Sequence, residues 1–298
     1  MLISRVYHNT LQIILKIGTS LSIITSVIDI ILYIFFPQNR SFSFSNIIIL
    51  SVINLIYSIS TLLPSDITLK QPEYTTMCQI QSFMVNSAHC AQYLQVSIIS
   101  YCIFIKLITR NHLEKNSKMY RSLFIAILLT FPIVFSLYIL FTKSHGSSIV
   151  YCWINIYTLY KKTHIRKVVL NYYITIWFLL LLNLFFIIKI KVMMKKNKIK
   201  NEIYEHLIKY PIILMIFSFP GTFNSLYRLF QNNNDINFMI FIQVICECCF
   251  GMVLNIFFIT SPWIKQSIVS LIKNQNKDEI SKLLPIREAT TFSIDKDN

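Results

Sequence analysis

Between Cys78 and Ile108 the chain reads CQIQSFMVNSAHCAQYLQVSIISYCIFIKLI. A helix needs about 20 mostly apolar residues to cross the roughly 30 Å hydrocarbon core of a bilayer. This run exceeds that length, and Lys106 is its single charged side chain. Its polar residues are ordered rather than scattered. At the angular step of a helix, Ser82, Asn86, His89, Tyr93, Ser97 and Ser100 fall within an arc of about 80°. Such a stripe is costly against lipid, which predicts a central helix lining the interior of a bundle. Hydrogen bonds between helices account for most of it. His89, in the half nearer Cys78, is its candidate for touching a ligand.

Six further runs meet the same length requirement, so the expected spans are Leu11–Phe36, Phe44–Leu63, Cys78–Ile108, Met119–Phe141, Val168–Val192, Leu207–Phe230 and Ile236–Thr260. A strand crossing would need only about 10 residues of strict alternation, which these runs do not show. Of the 298 residues, 54% are hydrophobic and 14% charged, with a mean hydropathy of +0.56. A soluble surface needs about 25% charged residues, so a soluble enzyme and a free nucleic-acid binder are excluded despite the net charge of +15. The expected fold is an all-α membrane protein, a bundle of seven transmembrane helices over 11–260. Residues 1–10 form a short extracellular segment in this reading. Pro262 interrupts the last span, and Ile264, Ile268, Leu271 and Ile272 then recur at helical spacing beside Lys265 and Lys273, which predicts an amphipathic inner-leaflet helix over 261–273. The polar segment 274–298 is expected to be a disordered cytoplasmic tail.

Basic residues set orientation, the richer side facing the cytoplasm. Arg5, Lys16, Lys70, Lys143, Lys161, Lys162, Arg166 and Lys167 fall on one side. The larger set includes Arg40, Arg110, Lys115, Lys118, Arg121, the run from Lys191 to Lys200, Lys209 and the tail lysines. The N-terminus is therefore expected outside and the C-terminus inside, in a multi-pass protein of the cell membrane that also touches anionic lipid.

Five of the seven cysteines lie within spans, where a thiol is a small buried apolar group. Cys78 and Cys152 lie at the outer face, and in that oxidising environment they are expected to form a disulfide rather than stay as thiols. No CxxC pairing with matching histidines is present, so no metal site is expected. Within the spans the ionisable groups are sparse: Asp29, Arg228 and Glu247. An unpaired membrane charge is expensive, so each is a functional candidate. For Asp29 the competing structural reading is a partner such as Asn54 or Asn255; Arg228 has the option of snorkelling to the headgroups. Glu247, in the seventh span, has no such escape. Outside, Lys161, Lys162, Arg166 and Lys167 cluster after the fourth span with Trp153 beside Cys152, either drawing an anionic ligand to the mouth of the bundle or touching headgroups. No cofactor is expected. There is no intramembrane His/Asp cluster and no GxSxG elbow, so an enzyme is not expected.

Seven spans and the pairing of Cys78 with Cys152 resemble a G-protein-coupled receptor. More specific are Cys152-Trp153-Ile154, the fifth-span aromatics Tyr172, Tyr173 and Trp177, Tyr210-Pro211 at the opening of the sixth span, Phe223-Asn224 through Tyr227, and Phe250-Gly251 with Asn255. On these the chain resembles the cyclic-AMP receptor-like family of slime moulds and its plant and protist relatives, from about Gly18 to Ile272. It lacks the acid before Arg110 and the NPxxY after Asn255 of the rhodopsin-like family. It also departs from the resembled family, where Arg tends to follow the sixth-span Asn; here Ser225 follows Asn224 and the Arg stands at 228. The resemblance implies a receptor that senses an extracellular small ligand, anionic on the evidence of the basic loop, and signals to a heterotrimeric G protein. His89, Trp153, Lys161, Lys162, Arg166, Lys167, Tyr172, Asn224, Arg228 and Glu247 are the expected ligand-binding residues. Lys106, Arg110, Lys195, Lys196, Lys198 and Lys200 are the expected G-protein contacts. The alternatives are a seven-span channel or transporter, or a structural membrane protein that does not signal.

Overall fold

The structure, a computed structural model, describes residues 2–35, 42–63, 76–109, 117–147, 151–154, 163–196, 202–230, 237–261, 264, 265 and 269. Within these, side chains are described except at 2–8, 42–44, 109, 117, 118, 121, 147, 163–166, 202–204, 228–230 and 237. Seven helices carry the fold: α1 (Leu2–Phe35), α2 (Phe42–Leu62), α3 (Thr76–Thr109), α4 (Ser117–Phe141), α5 (Thr163–Lys196), α6 (Glu202–Phe230) and α7 (Asn237–Ile259). All seven are long and apolar enough to cross a membrane. The architecture is an all-α seven-transmembrane bundle. Lipid exposure follows the sequence: Ile13, Ile17 and Ile24 on α1, Leu129 and Val134 on α4, and Phe178 and Leu181 on α5 are all exposed. A soluble monomer does not present apolar surface on that scale.

Helix ends run past the apolar runs where backbone bonding can continue. α1 reaches back to Leu2, so residues 2–10 are helical, and α5 continues to Lys196. α6 begins at Glu202, which places Tyr210-Pro211 inside the helix instead of at its opening. Pro132 in α4 and Pro211 and Pro220 in α6 are accommodated because neighbouring helices can re-satisfy the freed carbonyls in a membrane. Of the segment 261–273, only Ser261, Ile264, Lys265 and Val269 are described, with Ile264 buried and Val269 exposed. The tail 274–298 lies outside the described residues.

α3 is the central helix, touching α2, α4, α5 and α6. Some 67% of its span is buried, against 22% for α4 and 28% for α1. Lipid tails are as apolar as leucine, so helix association rests on close approach and interhelical hydrogen bonds. Both occur between α1 and α7. Any Cβ at Gly18 would stand 2.5 Å from Cys248 Sγ and 2.9 Å from Cys248 Cβ, and one at Gly251 would collide with Ser22 Oγ. Asp29 is paired differently from the expectation. Its Oδ2 accepts from Ser51 at 2.9 Å, and neither Asn54 nor Asn255 is its direct partner. Instead Asn255 donates to Ser26 at 2.7 Å, while Asn54 accepts from Gln92 at 2.8 Å.

Candidate functional site

The loop leaving α4 turns back over the bundle through a Schellman cap. Lys143 takes the left-handed conformation (φ 52°), its N–H reaching Leu140 O at 3.0 Å while Ser144 N–H reaches Ile139 O at 3.1 Å. The chain then forms an antiparallel hairpin of β1 (His145–Ser147) and β2 (Cys152–Ile154), with Gly146 opposite Trp153. Three-residue strands give no alternation for sequence reading to detect, and the hairpin was not expected.

Four links hold it to the helices. Cys78 and Cys152 form a disulfide, with Cα atoms 5.2 Å apart. Ser82 Oγ donates to the Trp153 carbonyl at 3.0 Å, and the Cys152 N–H donates to Gln81 Oε1 at 2.8 Å. Gln81 Nε2 in turn donates to the carbonyls of Ser60 and Leu63, at 3.1 and 2.9 Å, at the end of α2, where Ser60 O also accepts from Leu63 N–H at 3.4 Å. The fourth link is Tyr151, just before β2, whose hydroxyl donates to Glu247 Oε2 at 2.8 Å. Burial first, and then the neighbouring Glu247 carboxyl, push the Tyr151 phenol well above its ordinary range, so it remains a donor.

Beneath the hairpin lies a cavity of about 30 Å³, lined by residues of α2, α3, α5, α6, α7 and β2. Trp153, His89 and Glu247 line it, together with Tyr57, Tyr93, Tyr173, Phe217 and Phe250. The Trp153 ring stands edge-on to those of His89 and Tyr172, at centroid distances of 6.0 and 5.8 Å. Hydrogen bonds tie the walls across helix pairs. His89 bonds Tyr172 (α3 to α5), and Tyr173 donates to Ser225 (α5 to α6). Asn224 donates to Gln243 at 2.6 Å, and Gln243 donates to Glu247 Oε1 at 2.7 Å (α6 to α7). Glu247 thus secures α6 through Gln243 and Asn224.

The expected ligand residues separate into three groups. His89, Trp153 and Glu247 line the cavity; Tyr172 is buried behind His89, and Asn224 is buried behind Glu247 through Gln243. Lys167 is exposed at the start of α5. Lys161 and Lys162, and the side chains of Arg166 and Arg228, lie outside the described residues. At the opposite end of the bundle, Lys106 is half-buried near the end of α3, and Lys195 and Lys196 are exposed at the end of α5; Arg110, Lys198 and Lys200 lie outside the described residues. Tyr57, Tyr151, Tyr173 and Gln243 belong to the site but were not singled out for it. Gln243 carried a signal, since it stands one helical turn before Glu247 on the same face. Among the described residues, no three His, Cys, Asp or Glu side chains group as a metal site.

The chain matches no protein-family model and no curated protein. Solved structures do match, among them the crystal structure of squid rhodopsin, with a TM-score of 0.71 at 14% identity over 91% of this chain and 86% of that one. The fold is therefore the seven-helix bundle of that structure. At this identity the likeness extends to the fold alone, and α7 contains no lysine that could carry a Schiff base.

Proposed function

We propose that this chain is a receptor of the cyclic-AMP receptor-like type, set in the cell membrane with its N-terminus outside. A small extracellular molecule binds under the hairpin, and the opposite end engages a heterotrimeric G protein. The observation that carries the reading is the cavity whose walls are cross-linked from α3 to α5, α5 to α6 and α6 to α7. A molecule that changed one of these bonds would bias the packing of helices whose other ends stand at the far face. There, Lys106, Lys195 and Lys196, joined by Arg110, Lys198 and Lys200 in sequence, offer positive charge to an acidic partner segment. Lys161, Lys162, Arg166 and Lys167 before and at the start of α5, with Arg228 on α6, support attraction of a molecule bearing an anionic group toward the hairpin end.

The test is guanine-nucleotide exchange by a reconstituted G protein in the presence of the full chain. Neutralising Lys195, Lys196, Lys198 and Lys200 to Gln is expected to lower exchange while surface expression persists. Unchanged exchange would mean that these lysines contact only phospholipid.

A further inference from the structure

The cavity itself has the opposite charge character from the basic loop. Its described lining holds one carboxyl, Glu247, and no Lys or Arg; the rings of Tyr57, Tyr93, Trp153, Tyr173, Phe217 and Phe250 line it together with the His89 imidazole and the polar side chains of Gln92, Ser218 and Thr222. Ring faces and a carboxylate are the two groups that together recognise an ammonium ion in a desolvated site. We propose that the cavity is the seat of a compact ammonium group, with Glu247 as its counter-ion and the rings as its cage. This rests on the receptor reading for the ligand's place but not for its charge.

Glu247 is suited to the role. A carboxylate has about four lone-pair directions, and Tyr151 and Gln243 each take one. A carboxyl withdrawn from water either keeps its proton or pairs with a cation, and an ammonium ion seated beside Glu247 would supply that pairing. Gly221 of α6 keeps the space beside Glu247 open, because a Cβ there would stand 3.2 Å from Oε1. Size argues the same way. A cavity of about 30 Å³ accommodates about two waters, far below the roughly 300–1,000 Å³ of sites for drug-sized ligands. A primary ammonium head matches that space, and the larger trimethylammonium head needs the lining side chains to give way, whereas a nucleotide base with its sugar is several times larger still.

The probes are choline, its uncharged carbon isostere 3,3-dimethylbutan-1-ol, and inorganic phosphate. They are measured by thermal unfolding of the detergent-solubilised full chain, with its disulfide intact. Choline is expected to raise the unfolding temperature, and the other two are not. Glu247→Gln should weaken choline on the order of 30-fold or more. That variant risks disturbing the hydrogen bonds of Gln243, so Gly221→Ala is the second one. It leaves every charge in place and favours the helix, yet crowds the carboxylate, and should weaken choline roughly five-fold or more. Equal stabilisation by the isostere, undiminished choline binding in both variants, stabilisation by phosphate alone, or no stabilisation by any probe would overturn the proposal. If choline binds in a Glu247-dependent way but leaves nucleotide exchange by the G protein unaltered, the ammonium seat stands and the receptor reading fails.

Discussion

The Ser51 hydroxyl on α2 donates to the Asp29 carboxylate on α1 at 2.9 Å and stands 3.3 Å from Asn255 Oδ1 on α7. One serine therefore lies at the junction of three helices. Asn255 extends the cluster by donating to Ser26 and Thr25 at 2.7 and 3.2 Å. Single interhelical hydrogen bonds in membranes average about 0.6 kcal/mol and reach about 1.7. Ser51→Ala should therefore destabilise the protein by an amount in that range. Asn255→Leu removes several such bonds and should cost about 1–3 kcal/mol, while Asp29→Asn, which can still accept from Ser51, should cost least. Thermal unfolding in detergent checks the order. An Asn255→Leu protein as stable as the native one would show that the cluster does not hold the three helices.

The close approach of α1 to α7 at Gly251 gives a second expectation. A methyl group there meets Ser22 Oγ before anything else, with Ser22 Cβ at an ordinary 3.4 Å. Gly251→Ala should destabilise the bundle by about 1–3 kcal/mol through overpacking. Ser22→Ala in the same chain should recover part of that loss, although alone it removes the acceptor of the Ser58 hydroxyl (3.0 Å). Additive effects of the two substitutions in a double-mutant cycle would show that the side chains do not meet.

The disulfide closes a loop with a sequence separation of 74. Chain entropy for such a loop sets a ceiling of about 4.5 kcal/mol on its contribution. Helices already inserted in the membrane keep the loop partly ordered, so Cys78→Ser with Cys152→Ser should lose less than that ceiling. Peptide mapping without reduction should recover the two half-peptides joined. Recovery of both as free thiols from surface-expressed protein would remove the staple from the description.

Gln81 is expected to matter more than an isolated polar residue at a helix face. It accepts from Cys152 N–H and donates to the carbonyls of Ser60 in α2 and Leu63 just after it, so Gln81→Glu keeps the first bond and loses the donors. Gln81→Leu loses all of them and should be the worse of the pair, at about 1–3 kcal/mol for the groups left unsatisfied. The same unfolding measurement ranks the two, and equal stability in both would exclude Gln81 as a tie between α2, α3 and the hairpin.

How far the sequence could be read depended on whether a feature was local. Length and apolar character located all seven helices, and the polar stripe from Ser82 to Ser100 placed α3 at the centre. The stripe hid a second polar face: Gln81, Gln92 and Gln95 fall off its arc and bond α2 instead, to Ser60, Asn54 and Asn46. A usable signal existed for the α1–α2 contact. Ser22 and Asp29 stand about two turns apart on α1, and their partners Ser58 and Ser51 about two turns apart in reverse on α2, as antiparallel neighbours require. Of the expected site, His89 and Glu247 were legible as unusual groups for their depth, and Trp153 by its place beside Cys152; the three converge on the cavity. Tyr151 and Gln243 escaped notice because ordinary residues become special only through whom they meet.

The four attachments of the hairpin have a temporal consequence. Any occupant of the cavity sits behind Trp153 on a strand covalently tied to α3 and hydrogen-bonded at Ser82, Gln81 and Glu247. Entry and departure past that strand require its hydrogen bonds to part while the disulfide holds, so they share one step. Affinity could then be modest and residence still long. A brief pulse of ligand would be followed by a response that outlasts it, with washout paced by the hairpin and shortened by reduction of the Cys78–Cys152 bond.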